Sequence, residues 1–326
     1  MVADLYSWVD TTDYSWSDLP YIQWAISIGS SLNQVWQDVL YVYAATSEGL
    51  DIIDINSTEK IAFVPWSSGF STIWVSEDTI YLGTDGGVKW LSKSSILGDS
   101  ASPVNLIAFL NNYSYYAPAS TIVKYLHGFE NKLSIVTTSG MDLVDNTTGG
   151  YKSSVYNTKI GKCFSTAARS VYYTVNNSAT SGVFKINSYL WDWAAPDISY
   201  VTGESFLPIV DINDIFVTLG TSSSGIGDTL FVATSSGVYI FDEDSGQVDQ
   251  YIDELAGTSI NFTGVWADKT SSISDGRVYT VSDGDGAAFS IFDLATKSLW
   301  DKYTVTEKGR TNEVLLSDDV TDVGGA

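Results

Sequence analysis

One pattern recurs six times along this chain and limits what it can fold into: an apolar-aromatic strand, a short polar turn containing Gly, then a second strand ending near Asp or Asn. The copies are LYVYAATSEGLDIID (40–54), IYLGTDGGVKWL (80–91), LSIVTTSGMDLVDN (133–146), VYYTVNNSATSGVFKIN (171–187), LFVATSSGVYIFD (230–242) and VYTVSDGDGAAFSIFD (278–293). Those at 80, 133 and 230 align without gaps as apolar–x–apolar–x–Thr–x–x–Gly–apolar. The turn glycines Gly49, Gly87, Gly140, Gly182, Gly237 and Gly286 are separated by 38, 53, 42, 55 and 49 residues. Alternate strand residues face opposite sides of a sheet, and Gly admits the positive φ of a tight hairpin. Candidate strands flank each hairpin. Upstream lie NQVWQD (33–38), STIWVSED (71–78), KYLHGFE (124–130), DIFVTLG (214–220) and FTGVWAD (262–268). Downstream lie KIAFV (60–64), YKSSVY (151–156), QVDQYI (247–252) and SLWDKYT (298–304).

Four strands in every roughly 40–55 residues is the dimension of a propeller blade, and one such sheet cannot bury both of its faces alone. The repeats resemble β-propellers of the regulator-propeller type, whose blades carry a Gly-Thr-x-x-Gly-like turn between two strands. IYLGTDGGVKWL at 80–91 is the nearest match, and the resemblance covers 31–304. It implies an architecture, not an activity. The WD and Gly-His dipeptides of WD40 repeats are missing at the expected positions, and Ser282-Asp-Gly-Asp-Gly has its acids out of register for a sialidase Asp box. The expected fold is all-β: a six-bladed β-propeller of four-stranded antiparallel blades over 31–304. An extended N-terminal arm (1–30) precedes it and an acidic C-terminal tail (305–326) follows. A seventh blade is the alternative, if 92–120 or the N-terminal segment holds an irregular one.

Composition supports the β reading. Of the 39 acidic residues, 30 are Asp and 9 are Glu. Asp favours turns, where its short carboxylate bonds to neighbouring amides, while Glu favours helices. The net charge of −23 opposes nucleic-acid binding, which needs Lys/Arg stripes facing phosphate. One cysteine, Cys163, excludes an internal disulfide, and one histidine, His127, excludes a site needing two imidazoles. No apolar run reaches the ~18–20 residues of a spanning helix, so no membrane insertion is expected. The N-terminal residues lack the basic and apolar regions of a secretory signal, and synthesis in a cytoplasm without the usual export is expected.

Residues 1–30 contain a duplication, Tyr6-Ser-Trp8-Val-Asp10 and Tyr14-Ser-Trp16-Ser-Asp18, followed by LPYIQW ending at Trp24. Two readings stand. As an anchor arm, Tyr6, Trp8, Tyr14, Trp16 and Trp24 dock on a partner subunit, since Trp and Tyr dominate interface hot spots. Otherwise the segment folds back, with 21–28 as a ring-closing strand. The segment resembles the N-terminal segments of tailed-phage virion proteins, where Tyr/Trp–Asp–Leu-Pro runs recur. Two insertions, 92–120 and 188–210, interrupt the rhythm and are expected to connect successive blades. They carry Tyr113, Tyr115, Tyr116, Trp191 and Trp193, which either grip a glycan or protein partner from one face or cover blade ends locally.

Catalytic signals are weak. His127 has no Gly-x-Ser-x-Gly elbow to serve and is read as structural. Cys163 is read as a small buried apolar group. Asp38, Asp78, Glu130 and Asp268 lie where a glycosidase propeller places acids, but no spacing selects a pair, and most read as turn formers. Asp242-Glu-Asp244 and Asp283-Gly-Asp285 lack the continuation of an EF-hand, so no metal and no cofactor is expected. The expected function is non-catalytic: a structural or adhesive virion subunit contacting other assembly subunits or a host-surface glycan, located in the virion. A carbohydrate-active enzyme, a ligand-sensing propeller module and a soluble cytoplasmic location are the alternatives.

Overall fold

The computed structural model describes residues 31–38, 40–97, 111–112, 122–129, 132–145, 150–155, 157–166, 171–176, 181–186, 198–200, 211–221, 227–245, 247–252, 254–255, 258–259, 261–268, 271, 275–283, 288–296 and 298–304. Among them, six four-stranded antiparallel meanders follow one another along the chain. Blade 1 runs Leu32–Gln37, Tyr41–Thr46, Gly49–Asp54, Lys60–Pro65, and blade 2 Thr72–Val75, Thr79–Thr84, Gly87–Ser92, Asn111–Asn112. Blade 3 is Val123–Phe129, Lys132–Thr137, Met141–Asp145, Gly150–Val155, and blade 4 Ile160–Ser165, Val171–Val175, Gly182–Ile186, Ile198–Tyr200. Blade 5 is Ile212–Thr218, Thr229–Thr234, Gly237–Asp242, Gln247–Ile252, and blade 6 Asn261–Ala267, Arg277–Asp283, Ala288–Asp293, Ser298–Thr304. A five-residue helix, Lys93–Leu97, follows the third strand of blade 2. From blade 1 to blade 6, each first strand packs against the next first strand, so first strands form a hub and fourth strands a rim. The chain is a multi-bladed β-propeller.

The repeated Thr-x-x-Gly now has a physical meaning. Thr46, Thr84, Thr137 and Thr234 each end a second strand, and each Oγ1 donates to the carbonyl of the Gly three residues on, at 2.7–3.2 Å. The same oxygen accepts a turn N–H at 3.0–3.3 Å. One hydroxyl therefore satisfies both a donor and an acceptor that the tight turn would leave unpaired. Gly49 shows why Gly must follow: its φ is 152°, and a Cβ there would sit 2.1 Å from the Val64 carbonyl oxygen of the fourth strand.

Stacking buries both sheet faces, so the inner strands read as continuous apolar runs. Thr229–Thr234 and Gly237–Asp242 are buried at every position. Each of the five seams from blade 1 to blade 6 carries a mixed apolar cluster, such as Tyr43, Leu50 and Ile52 against Phe70, Ile73 and Leu82. Each such side chain contributes about 1.5–3 kcal/mol of burial before chain entropy is charged against it.

Two expectations require correction. The segments 92–120 and 188–210 are more than connections between successive blades: they contain the fourth strands of blades 2 and 4, Asn111–Asn112 and Ile198–Tyr200. The open edge of each third strand recruits a short stretch from within the long segment. Blade 4 also has a first strand, Ile160–Ser165, that pattern reading overlooks, because a register shift between Ile160 and Cys163 breaks its alternation.

Candidate binding site: rings around the hub

Strand register defines one equivalent position on every first strand. Trp36 pairs with Tyr43, Trp74 with Tyr81, His127 with Ser134, Phe164 with Tyr172, Phe216 with Phe231 and Trp266 with Tyr279. Tyr43, Tyr81, Ser134, Tyr172 and Phe231 each lie three residues before the end of the second strand, and Tyr279 lies three before Ser282, so the six are copies of one position. All six carry a ring. They also touch: Trp36 meets Trp74 edge-on at 6.4 Å and His127 edge-on at 5.7 Å. His127 stacks on Phe164 at 4.4 Å, Phe164 meets Phe216 at 5.2 Å, and Phe216 meets Trp266 at 4.3 Å. Contact between Trp36 of blade 1 and His127 of blade 3 means that the rings reach past a blade rather than only to their neighbours. Each such pair adds about 0.5–1.5 kcal/mol beyond burial. Gly128 makes room for this packing, since a Cβ there would lie 2.7 Å from the Trp74 indole. Trp74, His127 and Phe216 are buried, whereas Trp36, Phe164 and Trp266 keep part of their surface in solvent.

His127 is held neutral. Burial pushes its pKa down to about 3, and Nδ1 accepts the Ser165 N–H at 2.9 Å, which puts the ring proton on Nε2. Ser165 Oγ lies 3.0 Å from Ser134 Oγ, tying the same seam one strand outward. Cys163 packs into the blade 3–4 cluster, with Sγ 3.8 Å from the Ser134 carbonyl oxygen. Burial raises that thiol far above its ordinary pKa, so no thiolate is available at neutral pH.

The candidate acids are occupied or apart. Asp38 accepts the N–H groups of Leu40 and Tyr41 at 3.0 and 2.9 Å, the Tyr43 hydroxyl at 2.8 Å and the Lys93 ammonium at 2.8 Å. Burial works to raise its pKa, but the Lys93 bond and the other three donors together hold it below the usual carboxylate value. Asp268 is the blade 6 counterpart, two residues beyond Trp266 as Asp38 is beyond Trp36. Burial raises its pKa against the opposing pull of Tyr279 and Arg277. Asp78 is exposed in a hairpin turn. Asp242 accepts the Asp244 N–H at 2.8 Å, as a turn former does. Glu130, Asp283 and Asp285, the arm residues Tyr6, Trp8, Tyr14, Trp16 and Trp24, and the loop residues Tyr113, Tyr115, Tyr116, Trp191 and Trp193 lie outside the residues whose side chains are described.

A pair of acids unmarked by sequence meets at the blade 4–5 seam. The Tyr172 hydroxyl donates to Asp228 at 2.7 Å with Glu243 3.2 Å away, and Glu243 also takes the Asp228 N–H at 2.9 Å and the Lys185 ammonium. Each carboxylate is already satisfied from within the fold. Among the described residues, no three His, Cys, Asp or Glu side chains gather as a metal would require. Pattern reading also overlooks Trp36, Trp74, Phe164, Phe216 and Trp266 as a set. The signal that finds them is the ring in the middle of each upstream strand, visible once those strands are aligned on the Thr-x-x-Gly turns.

No protein-family model matches the chain, and no curated protein matches it. Solved structures do. The computationally designed Ika8 protein matches with a TM-score of 0.58 at 10% identity, over 90% of this chain and 92% of that one. The extracellular domain of the putative hybrid two-component system BT4673 from B. thetaiotaomicron matches with a TM-score of 0.55 at 11% identity, over 83% of this chain. This chain spans about a third of that structure's length, 32%. At these identities the likeness concerns the fold.

Proposed function

We propose that this chain is a non-catalytic binding propeller, a structural or adhesive subunit of a larger assembly, with the partly exposed hub rings as part of its contact surface. One observation carries this reading: the hub position of all six blades holds an aromatic ring or a neutral, hydrogen-bonded imidazole, with none given to a carboxylate. A hydrolytic hub needs two acids poised apart in pKa. In its more specific form the assembly is a bacteriophage virion, a reading that rests on the Tyr/Trp–Asp duplication of residues 6–18. The ligand-sensing alternative draws its support from a fold neighbour described as the extracellular domain of a putative two-component system.

Sedimentation of the source material on a density gradient tests the proposal. The expected result is co-sedimentation of the chain with intact particles. A wholly free pool would overturn the assembly reading. Reproducible product release from a polysaccharide panel, lost in an Asp228→Asn, Glu243→Gln variant that still folds, would overturn the non-catalytic one.

A further inference from the structure

The repeated meander gives the propeller two unlike faces. In each blade the turns between first and second strands and between third and fourth strands open on one face. The turns between second and third strands, and the links from blade to blade, open on the other. Among the described residues, twelve carboxylates sit at the first kind of turn, against three on the opposite face, Glu48, Asp85 and Asp211. Five cations, Lys60, Lys93, Lys132, Lys185 and Arg277, offset part of that charge. Of the five exposed large apolar side chains among the described residues, Leu40, Ile61, Leu219 and Leu299 stand toward the acidic face, and Ile122 toward the other.

The hub rings belong to the acidic face. Trp36, Trp74, Phe164 and Trp266 are next to last in their first strands, and His127 and Phe216 lie two residues from the end. In every case it is the end that leads into the acidic turns. The ring layer is therefore the last of the hub before that mouth, with Asp38 and Asp268 two residues beyond Trp36 and Trp266. Other rings of the molecule have a cation of their own: Lys162 lies 4.2 Å from the centre of Tyr125, Lys60 4.9 Å from Phe63 and Lys185 5.1 Å from Tyr172. Among the described residues, none is placed over Trp36, Phe164 or Trp266, the three hub rings with surface in solvent. Lys93 shows how this mouth holds an ammonium, 2.8 Å from Asp38 and 5.6 Å from the centre of the Tyr43 ring. The negative face of a ring attracts a cation, and Trp does so best.

We propose that the hub mouth is a docking site for a Lys- or Arg-bearing segment of a partner protein. One cationic side chain sits against the partly exposed rings, and the basic residues beside it face the surrounding carboxylates. This inference rests on the reading of the hub rings as contact surface and names the chemistry of what they contact. Exposed apolar groups that extend from the hub turns (Leu40, Leu219) to the rim strands (Ile61, Leu299) suit a chain segment rather than a small cation. A second copy is the wrong partner, because its own charge of −23 would set acid against acid.

Fluorine NMR of the full chain labelled with 5-fluorotryptophan tests the proposal. The Trp36 and Trp266 signals are assigned with Trp36→Phe and Trp266→Phe variants. The probe is a twelve-residue peptide of alternating Lys and Gly, and the control is the same peptide with every Lys acetylated. At about 0.15 M salt, where exposed charges are screened beyond roughly 8 Å, the Lys peptide should shift Trp36 and Trp266 and the acetylated peptide should shift neither. A Trp36→Leu, Trp266→Leu variant should bind the Lys peptide about tenfold more weakly. The remaining tryptophan signals report whether that variant is folded; if it is not, the two signals of the wild-type chain decide. Absence of binding overturns the proposal, as does equal binding of the acetylated peptide. Binding that leaves both signals in place is adventitious charge attraction and overturns it too. The assembly reading fails separately: a chain that binds the peptide through its hub rings but never sediments with particles keeps the site and loses the particle.

Discussion

At the seam between blades 1 and 2, the Gln34 amide oxygen accepts the Ile73 N–H at 2.9 Å; at the seam between blades 5 and 6, the Asp214 carboxylate accepts the Val265 N–H at 3.1 Å. The two acceptors occupy the same place. Each follows a register shift, between Leu32 and Gln34 and between Ile212 and Asp214, that turns the side chain toward the next blade. Each answers the same need, because a first strand's N–H groups on the hub side have no strand to pair with. Gln34 meets it with a neutral group that also takes the Thr72 hydroxyl, whose oxygen accepts the Leu126 N–H at 3.0 Å and carries the connection on to blade 3. Asp214 meets it with a charge. Burial raises that carboxyl's pKa, and the Lys162 ammonium 4.0 Å away, from blade 4, pulls the other way. At the blade 3–4 seam the acceptor is the His127 imidazole. An amide seam is indifferent to pH, whereas imidazole and carboxylate seams must titrate in opposite senses.

The largest expected effect lies in acid. Folded His127 has its pKa lowered from the ordinary 6.5 to about 3. The unfolded chain therefore takes up the proton first, and the stability His127 contributes is complete above about 6.5 and drains as pH falls toward 3. The slope is about 1.4 kcal/mol per pH unit. Urea unfolding midpoints at pH 7 and pH 4.5 should differ by roughly 2–3 kcal/mol, and His127→Gln, which keeps an acceptor for Ser165, should flatten the difference. An equal pH dependence in the variant would assign the acid loss elsewhere.

Next comes Gln34→Ala. It strands the Ile73 N–H and the Thr72 hydroxyl in a dry seam and should cost about 1–3 kcal/mol, equally at pH 5 and pH 8. Asp214→Asn should act more weakly and in the opposite direction. The variant keeps an oxygen for Val265 but removes a buried charge, so at pH 7 it should be neutral or stabilising by about 1–2 kcal/mol. The sign follows from linkage. A carboxyl whose folded pKa is raised favours the folded state below its unfolded value near 3.8, and loses that advantage as pH rises through the folded value. Wild type should therefore gain on the Asn variant as pH falls below neutrality; a gap that stays constant from pH 4 to 7 would mean that Lys162 already cancels the burial cost.

The hairpins were legible because their signal is local. Thr46 and Gly49 satisfy one turn within four residues, and no distant contact is needed to predict it. The hub was not legible in the same way. Trp36 and His127 are far apart in sequence and meet only because successive sheets converge on an axis, although the ring at the middle of each upstream strand was present to be aligned. The fourth strands of blades 2 and 4 are two and three residues long, Asn111–Asn112 and Ile198–Tyr200, which is too short for a period of two to register. Gln34 and Asp214 were hidden for another reason. A bulge inverts the facing that alternation predicts, so polar residues that read as solvent-exposed turn into the seam.

The most local effect tests whether seam or turn chemistry sets stability. Blade 4 already lacks the turn hydroxyl, since Val175 stands where blades 1, 2, 3 and 5 place Thr46, Thr84, Thr137 and Thr234, and it pairs with Gly182 across a longer connection. Thr234→Val gives blade 5 the same apolar residue without the longer turn. The Gly237 carbonyl loses its 2.8 Å donor, and the N–H groups of Ser236 and Gly237 lose their acceptor, in a strand pair buried throughout. Shape and β-propensity are preserved, so the cost should be that of the hydrogen bonds alone, about 1–2 kcal/mol. Exchange at the Gly237 amide should accelerate while the Val265 amide at the Asp214 seam stays protected. Loss of protection at both would mean that turn and seam open as one unit, and that the hub depends on the hairpins for more than their position.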